Sequence, residues 1–285
     1  MTGPVDQSSP ETKNRDPMKG LKTLVARLPW GMRKLIAFVA LHGSLGLIRS
    51  KPHFAGVYPS FDKAPVTGAS DMSFLTRTAD INVNRLKRDE ANGLPLLGHS
   101  HQLMPLAVAM LANRRPVRIL DFGGAAGADF RNLTSAIFDQ SELHYHIVDL
   151  PDVCAVGRRR WQSDGRISFS EQMPEAGAQF DLIYSSWAVL YVPEPLSVLD
   201  QFAGYGARAI LLINVPVTAK AAFVRVQLNH GIPSWVLSLS DIERIMRQRG
   251  YRLAFHVAGD VDHNVDNYPP EYRVANMANL LFLKS

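Results

Sequence analysis

The sequence predicts an α/β protein: a Rossmann-like, mostly parallel seven-stranded sheet with helices on both faces, preceded by an N-terminal helical cap. Three observations predict it. From residue 116 onward, short β-rich runs alternate with helical stretches, the pattern of a parallel sheet covered on both sides. The run ILDFGGAAG at 119–127 joins a buried strand to a helix through a turn of glycines and small residues. The chain closes on two apolar runs near enough in sequence to pair antiparallel at the sheet edge.

With 285 residues, 46% of them hydrophobic and 20% charged, the chain can bury a substantial core and lacks the polar bias of a disordered protein. Lys plus Arg exceeds Asp plus Glu by 31 − 26 = 5, and the excess lies near the start, which suggests an anionic surface partner. The single cysteine, Cys154, excludes an internal disulfide framework and a cysteine-rich zinc site. It fits a reducing compartment, the cytoplasm by default.

Residues 1–17, with Pro4, Ser8, Ser9 and Pro10 among many charges, read as a disordered leader, and 18–115 as the helical cap and loop region. Lys19, Lys22, Arg27, Arg33 and Lys34 precede a 14-residue apolar run, 35–48, that superficially resembles a signal peptide. The run is too short to span a bilayer, contains His42 and two glycines, and meets Arg49 and Lys51 without a small-x-small cleavage pattern. Two readings stay open for residues 19–51: basic helices on anionic headgroups, giving peripheral membrane contact, or helices packed over the following domain. The loop holding Pro52, Gly56, Pro59, Pro65 and Gly68 should be ordered only by docking onto something else. Helices are expected at 76–92 and at 100–113, where Leu103, Met104, Leu106, Ala107 and Met110 fall at helical spacing.

The domain proper is expected at 116–285. Its strands are 117–121, 143–149, 167–169, 180–184 and 209–215, with a helix at 127–139 after the first. Ser240 caps a later helix whose Ile242, Ile245 and Met246 form one apolar stripe and which Gly250 ends. Runs 251–257 and 279–284 form the edge pair.

The chemistry concentrates at the glycine turn. Small residues let a ligand approach the backbone, and in a doubly wound sheet this turn lies at the carboxyl end of the first strand, where ligands bind. Asp121 is suited to hold an ammonium group or to orient the turn. A dinucleotide fingerprint would need G-x-G-x-x-G, but counting from Gly123 or Gly124 its later glycines fall on Ala125, Ala128, Ala126 or Asp129. NAD is disfavoured, and the absence of a Walker lysine removes the phosphate loop. Asp149, 28 positions after Asp121, ends the second strand, where a carboxylate can accept both hydroxyl protons of a ribose; the alternative is a local cap.

The D-x-G-x-x-x-G turn, the acid at the second strand end and the run FDLIYSSWAVLYVPEP at 180–195 together resemble class I S-adenosylmethionine (SAM)-dependent methyltransferases over about residues 116–285. The run HFAGVYPSFDK at 53–63, taken with DFGG at 121–124, is also similar to a subgroup of bacterial methyltransferases associated with cell-surface polysaccharide gene clusters. The resemblance implies that Asp121, Phe122, Gly123, Gly124 and Gly127 surround the methionine part of SAM, Asp149 holds the ribose and Leu150 packs on the adenine. Ser170 or Glu171 would meet the adenine amine, and Ser185 and Ser186 would line the cofactor. The sequence departs from the family at Ala125, where a second glycine is commoner.

Methyl transfer from a sulfonium needs mainly proximity and in-line orientation, with a general base only for poorly acidic acceptors. The segment 216–240 would overhang the methyl group and offers His230 as that base; a surface histidine is the alternative. Trp187 and Tyr191 are candidates for the acceptor pocket or for the core. His99 with His101, and His144 with His146, lack a carboxylate or cysteine partner at metal-ligand spacing, so no metal is expected. Arg158, Arg159 and Arg160 read as a solvated helix face, and nothing supports nucleic-acid binding. The expectation is a SAM-dependent methyltransferase acting on a small molecule or glycan, with O-methylation favoured. The alternatives are a SAM- or nucleoside-binding protein without transfer activity, or a membrane-surface scaffold.

Overall fold

The computed structural model describes residues 52–65, 103–111, 116–136 and 143–285. The leader, the basic helices of 19–51 and the helix expected at 76–92 lie outside the described residues. The alternating texture folds as the seven-stranded sheet it predicts. Its members are β2 (Val117–Phe122), β3 (Leu143–Val148), β4 (Ile167–Ser170), β5 (Leu182–Ser186), β6 (Ala209–Val215), β10 (Tyr251–Asp262) and β11 (Asn276–Lys284), in the order β10-β11-β6-β5-β2-β3-β4. The five from β2 to β6 are mutually parallel, while β11 runs antiparallel to both β6 and β10. All seven residues of β6 are buried, as a central strand covered on both faces requires.

Side-chain alternation divides the core between the two faces. Leu120, Ile183, Ile210 and Leu212 pack on one side with Phe202 of α4 (Pro195–Gly204) and with Ile242 and Met246 of α5 (Leu239–Gln248). Ile119, Leu182, Tyr184 and Leu211 pack on the other with Phe130 and Leu133 of α2 (Ala128–Ala136) and with Met104, Ala107 and Val108 of α1 (Leu103–Leu111). Helix α3 (Pro151–Arg160) connects β3 to β4. Helix α5 carries the expected stripe, but its N-cap is Ser238, whose hydroxyl accepts from the Asp241 N–H at 3.4 Å; Ser240 lies one position inside the helix and pairs with the Ser238 hydroxyl at 2.9 Å.

A second sheet occupies the 216–240 segment, which the sequence marks only as an overhang. Strands β8 (Phe223–Gln227) and β9 (Ile232–Ser238) form a hairpin, flanked by β7 (Val217–Thr218) on β9 and by β1 (Phe54–Tyr58) on β8. Residues 52–65 of the proline-rich stretch are thus ordered by docking: β1 adds to the hairpin edge, and Phe54 packs with Phe223, Val236 and Tyr268.

Candidate functional site

The chain runs from β2 outward to β3 and β4, then returns across β2 to β5 and β6. The order reverses between β2 and β5, and the carboxyl ends of the strands at such a reversal are where open α/β sheets form their ligand-binding crevice. The glycine turn leaves β2 at this crevice. Gly123 turns at φ +74°, and its N–H donates to Val148 O at 2.8 Å; a Cβ there would lie 2.1 Å from the Ala188 Cβ. A Cβ on Gly124 would stand 2.2 Å from Asp121 Oδ2. Both positions therefore require glycine, the first for conformation and room, the second for room alone. Trp161, at the end of α3, braces the turn by donating Nε1–H to Ala126 O at 2.8 Å.

Asp121 is fully buried beneath the turn. Its Oδ2 accepts the Tyr145 hydroxyl proton at 2.7 Å, and its Oδ1 has no hydrogen-bond partner among the described residues. Nearby, Asp129 accepts from the Tyr184 hydroxyl at 2.9 Å. Burial, with Asp129 and Asp149 as like-charged neighbours, pushes the Asp121 carboxyl well above the usual carboxylate range. The Tyr145 and Tyr184 phenols are pushed up by burial and by the same acids.

Asp149 follows β3 with one carboxylate oxygen on each of two backbone donors: Oδ2 accepts from Ala125 N–H at 2.8 Å and Oδ1 from Leu150 N–H at 2.7 Å. This clips the second strand end to the glycine turn and leaves further lone pairs on both oxygens. Burial raises the Asp149 carboxyl and the two N–H bonds oppose the rise. Leu150, at the N-cap of α3, is a large apolar side chain left 38% exposed beside it.

The remaining sequence-derived residues differ in how free they are. Ser170 is engaged by His146 Nε2 at 2.8 Å and donates to Gln172 O. Glu171 is exposed and ion-paired with Arg158 at 3.3 Å. Ser185 is buried and donates to Phe122 O at 3.1 Å, so it locks β5 to β2, whereas the buried Ser186 Oγ has no hydrogen-bond partner among the described residues. Trp187 follows with φ +62°, a strained conformation for a bulky residue. His230 stands exposed in the β8–β9 turn. His263, which no sequence motif marks, stands near Trp187: its ring lies 6.2 Å from that indole, 5.0 Å from Phe54 and 5.3 Å from His53. Among the described residues no helix is long and apolar enough to cross a membrane.

No family model matches the chain, and no curated protein matches it in sequence. Solved structures resemble it in shape. Magnesium protoporphyrin IX methyltransferase of Synechocystis PCC 6803, crystallised with SAM, is 16% identical over 65% of this chain and 79% of its own, with a TM-score of 0.46. A 1,6-didemethyltoxoflavin-N1-methyltransferase of Burkholderia thailandensis, with S-adenosylhomocysteine (SAH), is 15% identical over 84% and 97%, with a TM-score of 0.47. The cyclase SpnF is 12% identical over 78% and 98%, with a TM-score of 0.46. A cyclase thus stands among methyltransferases of this shape.

Proposed function

We propose that the chain is a SAM-dependent methyltransferase acting on a small molecule or glycan, with O-methylation favoured. One observation carries the reading: at the switch point, a glycine turn passes over a buried acid, Asp121, whose Oδ1 has no hydrogen-bond partner among the described residues, and the turn is clipped to a second acid, Asp149, that keeps free lone pairs. The donor set fits SAM. Asp121 supplies negative charge for an ammonium group, while Phe122, Gly123, Gly124 and Gly127 leave room for the methionine part. Asp149 accepts from the ribose hydroxyls, Leu150 packs on the adenine, Ser170 or Glu171 meets its amine, and Ser185 and Ser186 line the β5 side. Ala125 and Ala128, where a dinucleotide site needs glycine, oppose an NAD reading.

Bound SAM supplies a methyl group activated on a sulfonium. The chain's own part is to orient the acceptor in line and exclude water, and for an alcohol acceptor to take a proton. His230 and His263 are the two bases we assign to that last role, one from the hairpin turn and one beside Trp187. The polysaccharide association, the cytoplasmic location and the membrane contact through residues 19–51 belong to the same proposal, on the sequence alone.

The test is transfer of radiolabelled methyl from SAM to a panel of sugars, nucleotide sugars and small phenols, read as SAH formation. The proposal expects turnover with at least one acceptor class. SAM binding without transfer to any of them would favour the non-transferring alternative.

A further inference from the structure

Arg225, in the middle of β8, is 1% exposed, and among the described residues the groups that act on its charge are the Tyr268 and Tyr191 phenols rather than a carboxylate. Its guanidinium lies over the Phe54 ring at 3.7 Å from the centroid, and Nη1–H donates to Val274 O at 3.4 Å. Nε and Nη2 have no hydrogen-bond partner among the described residues. Leaving a buried cation uncompensated is costly, and such groups are normally paired. Burial pulls the Arg225 pKa down to about 10, with the Tyr268 and Tyr191 phenols opposing the fall, so the group stays charged at neutral pH.

The two free donors are not an arbitrary pair. Nε–H and Nη2–H form one edge of the planar guanidinium and point the same way, at the spacing of the two oxygens of a carboxylate. Two more buried hydroxyls in this region have no hydrogen-bond partner among the described residues. Ser234 Oγ comes from the residue directly opposite Arg225 in the β8–β9 register, so both side chains share one face. The Tyr268 hydroxyl comes from the 263–275 connection.

The position suits an acceptor. Because β11 is antiparallel to both β6 and β10, those two strands run the same way, and the 263–275 connection leaves β10 at the carboxyl edge of the sheet. Through His263 it reaches Trp187 at the end of β5.

We propose that Arg225 is the docking group for a carboxylate carried by the methyl acceptor, received on the Nε–Nη2 edge with Ser234 and Tyr268 as supporting hydroxyls. The ligand reaches the guanidinium by movement of Val274, whose carbonyl makes the one hydrogen bond between Arg225 and the 263–275 connection among the described residues, while Tyr268 stays in place. That the ligand is the methyl acceptor rests on the methyltransferase reading; that Arg225 binds a carboxylate does not.

The experiment titrates the full chain, with and without saturating SAH, with acetate, benzoate and glucuronate, each against its neutral counterpart acetamide, benzamide or glucose. At least one carboxylate should bind at least tenfold more tightly than its counterpart. Benzoate and glucuronate separate an aromatic acid from a sugar acid. The preference should vanish in Arg225→Met and weaken in Arg225→Lys, while SAH affinity stays within twofold and the Met variant keeps its melting temperature, because an apolar side chain of similar length replaces an unpaired buried charge. Equal binding of every acid and its neutral counterpart by the native chain overturns the proposal, as does a preference that survives in Arg225→Met. The native-chain comparison decides the matter even where a variant does not fold. Failure of SAH to bind while the carboxylate preference holds would instead remove the methyltransferase reading and leave the Arg225 site standing.

Discussion

The β2–β5 crevice and the β8–β9 hairpin both bury charge near the carboxyl edge of the main sheet, with opposite signs and opposite construction. At the crevice Asp121, Asp129 and Asp149 gather within one turn of chain and a neighbouring strand end, and most of their oxygens are occupied by phenols and backbone N–H groups. At the hairpin a single guanidinium is held by a ring and one carbonyl, with its Nε–Nη2 edge unused among the described residues. The first arrangement fixes a backbone shape and favours a cation. The second fixes little and awaits an anion. A ligand pair of opposite charge, a sulfonium donor and an acid acceptor, would suit both.

The contrast is broken most forcefully at Gly123. Gly123→Ala sets a Cβ 2.1 Å from the Ala188 Cβ at φ +74°, combining overpacking with a left-handed backbone. It should cost about 3 kcal/mol of stability by urea titration and abolish SAH binding, while the carboxylate preference at Arg225 persists in the folded fraction.

Next in size is Asp121→Asn. The native Asp121 carboxyl is raised above its usual 3.8, so the folded state holds the proton more tightly than the unfolded chain. Its contribution to stability is therefore fully present below 3.8 and is lost as pH rises through the raised value. The Asn variant should flatten that dependence, so that its melting temperature gains on the native one as pH rises toward neutrality. SAM affinity should fall at least about tenfold, some 1.4 kcal/mol, because the ammonium loses its counter-charge. An unchanged pH profile would mean that Asp121 is not the buried acid that burial makes it.

The smallest change sharpens the picture of the turn. Ala125 adopts φ +49°, where the resembling family commonly has glycine. Ala125→Gly should raise stability by up to about 1 kcal/mol, the left-handed cost of alanine less the extra entropy of glycine in the unfolded chain, and should leave SAH affinity intact.

The same contrast explains what was legible in the sequence. The crevice is written in contiguous residues. The strand expected at 117–121 is Val117–Phe122, the one at 209–215 is Ala209–Val215, and the glycine turn lies between strand and helix as its composition requires. The fourth strand is Leu182–Ser186 rather than 180–184: Phe180 turns its ring against Tyr205, and Ser185 and Ser186, expected beyond the strand, are paired within the sheet to Leu212 and Ile213. The hairpin was hidden because Pro233 and the central Arg225 mask an alternating strand pattern. An arginine at period two reads as solvent-facing, and it is enclosed here by residues as distant as Phe54, Ser234, Tyr268 and Val274. Only the fold brings those together.

The most direct test is calorimetric titration of the native chain and of Asp149→Ala with SAM and with SAH. The account predicts that both ligands bind the native chain and that a folded Asp149→Ala, deprived of its ribose acceptor and of the clip to Ala125, loses both. Absence of binding to the native chain, or undiminished binding by the variant, would contradict it.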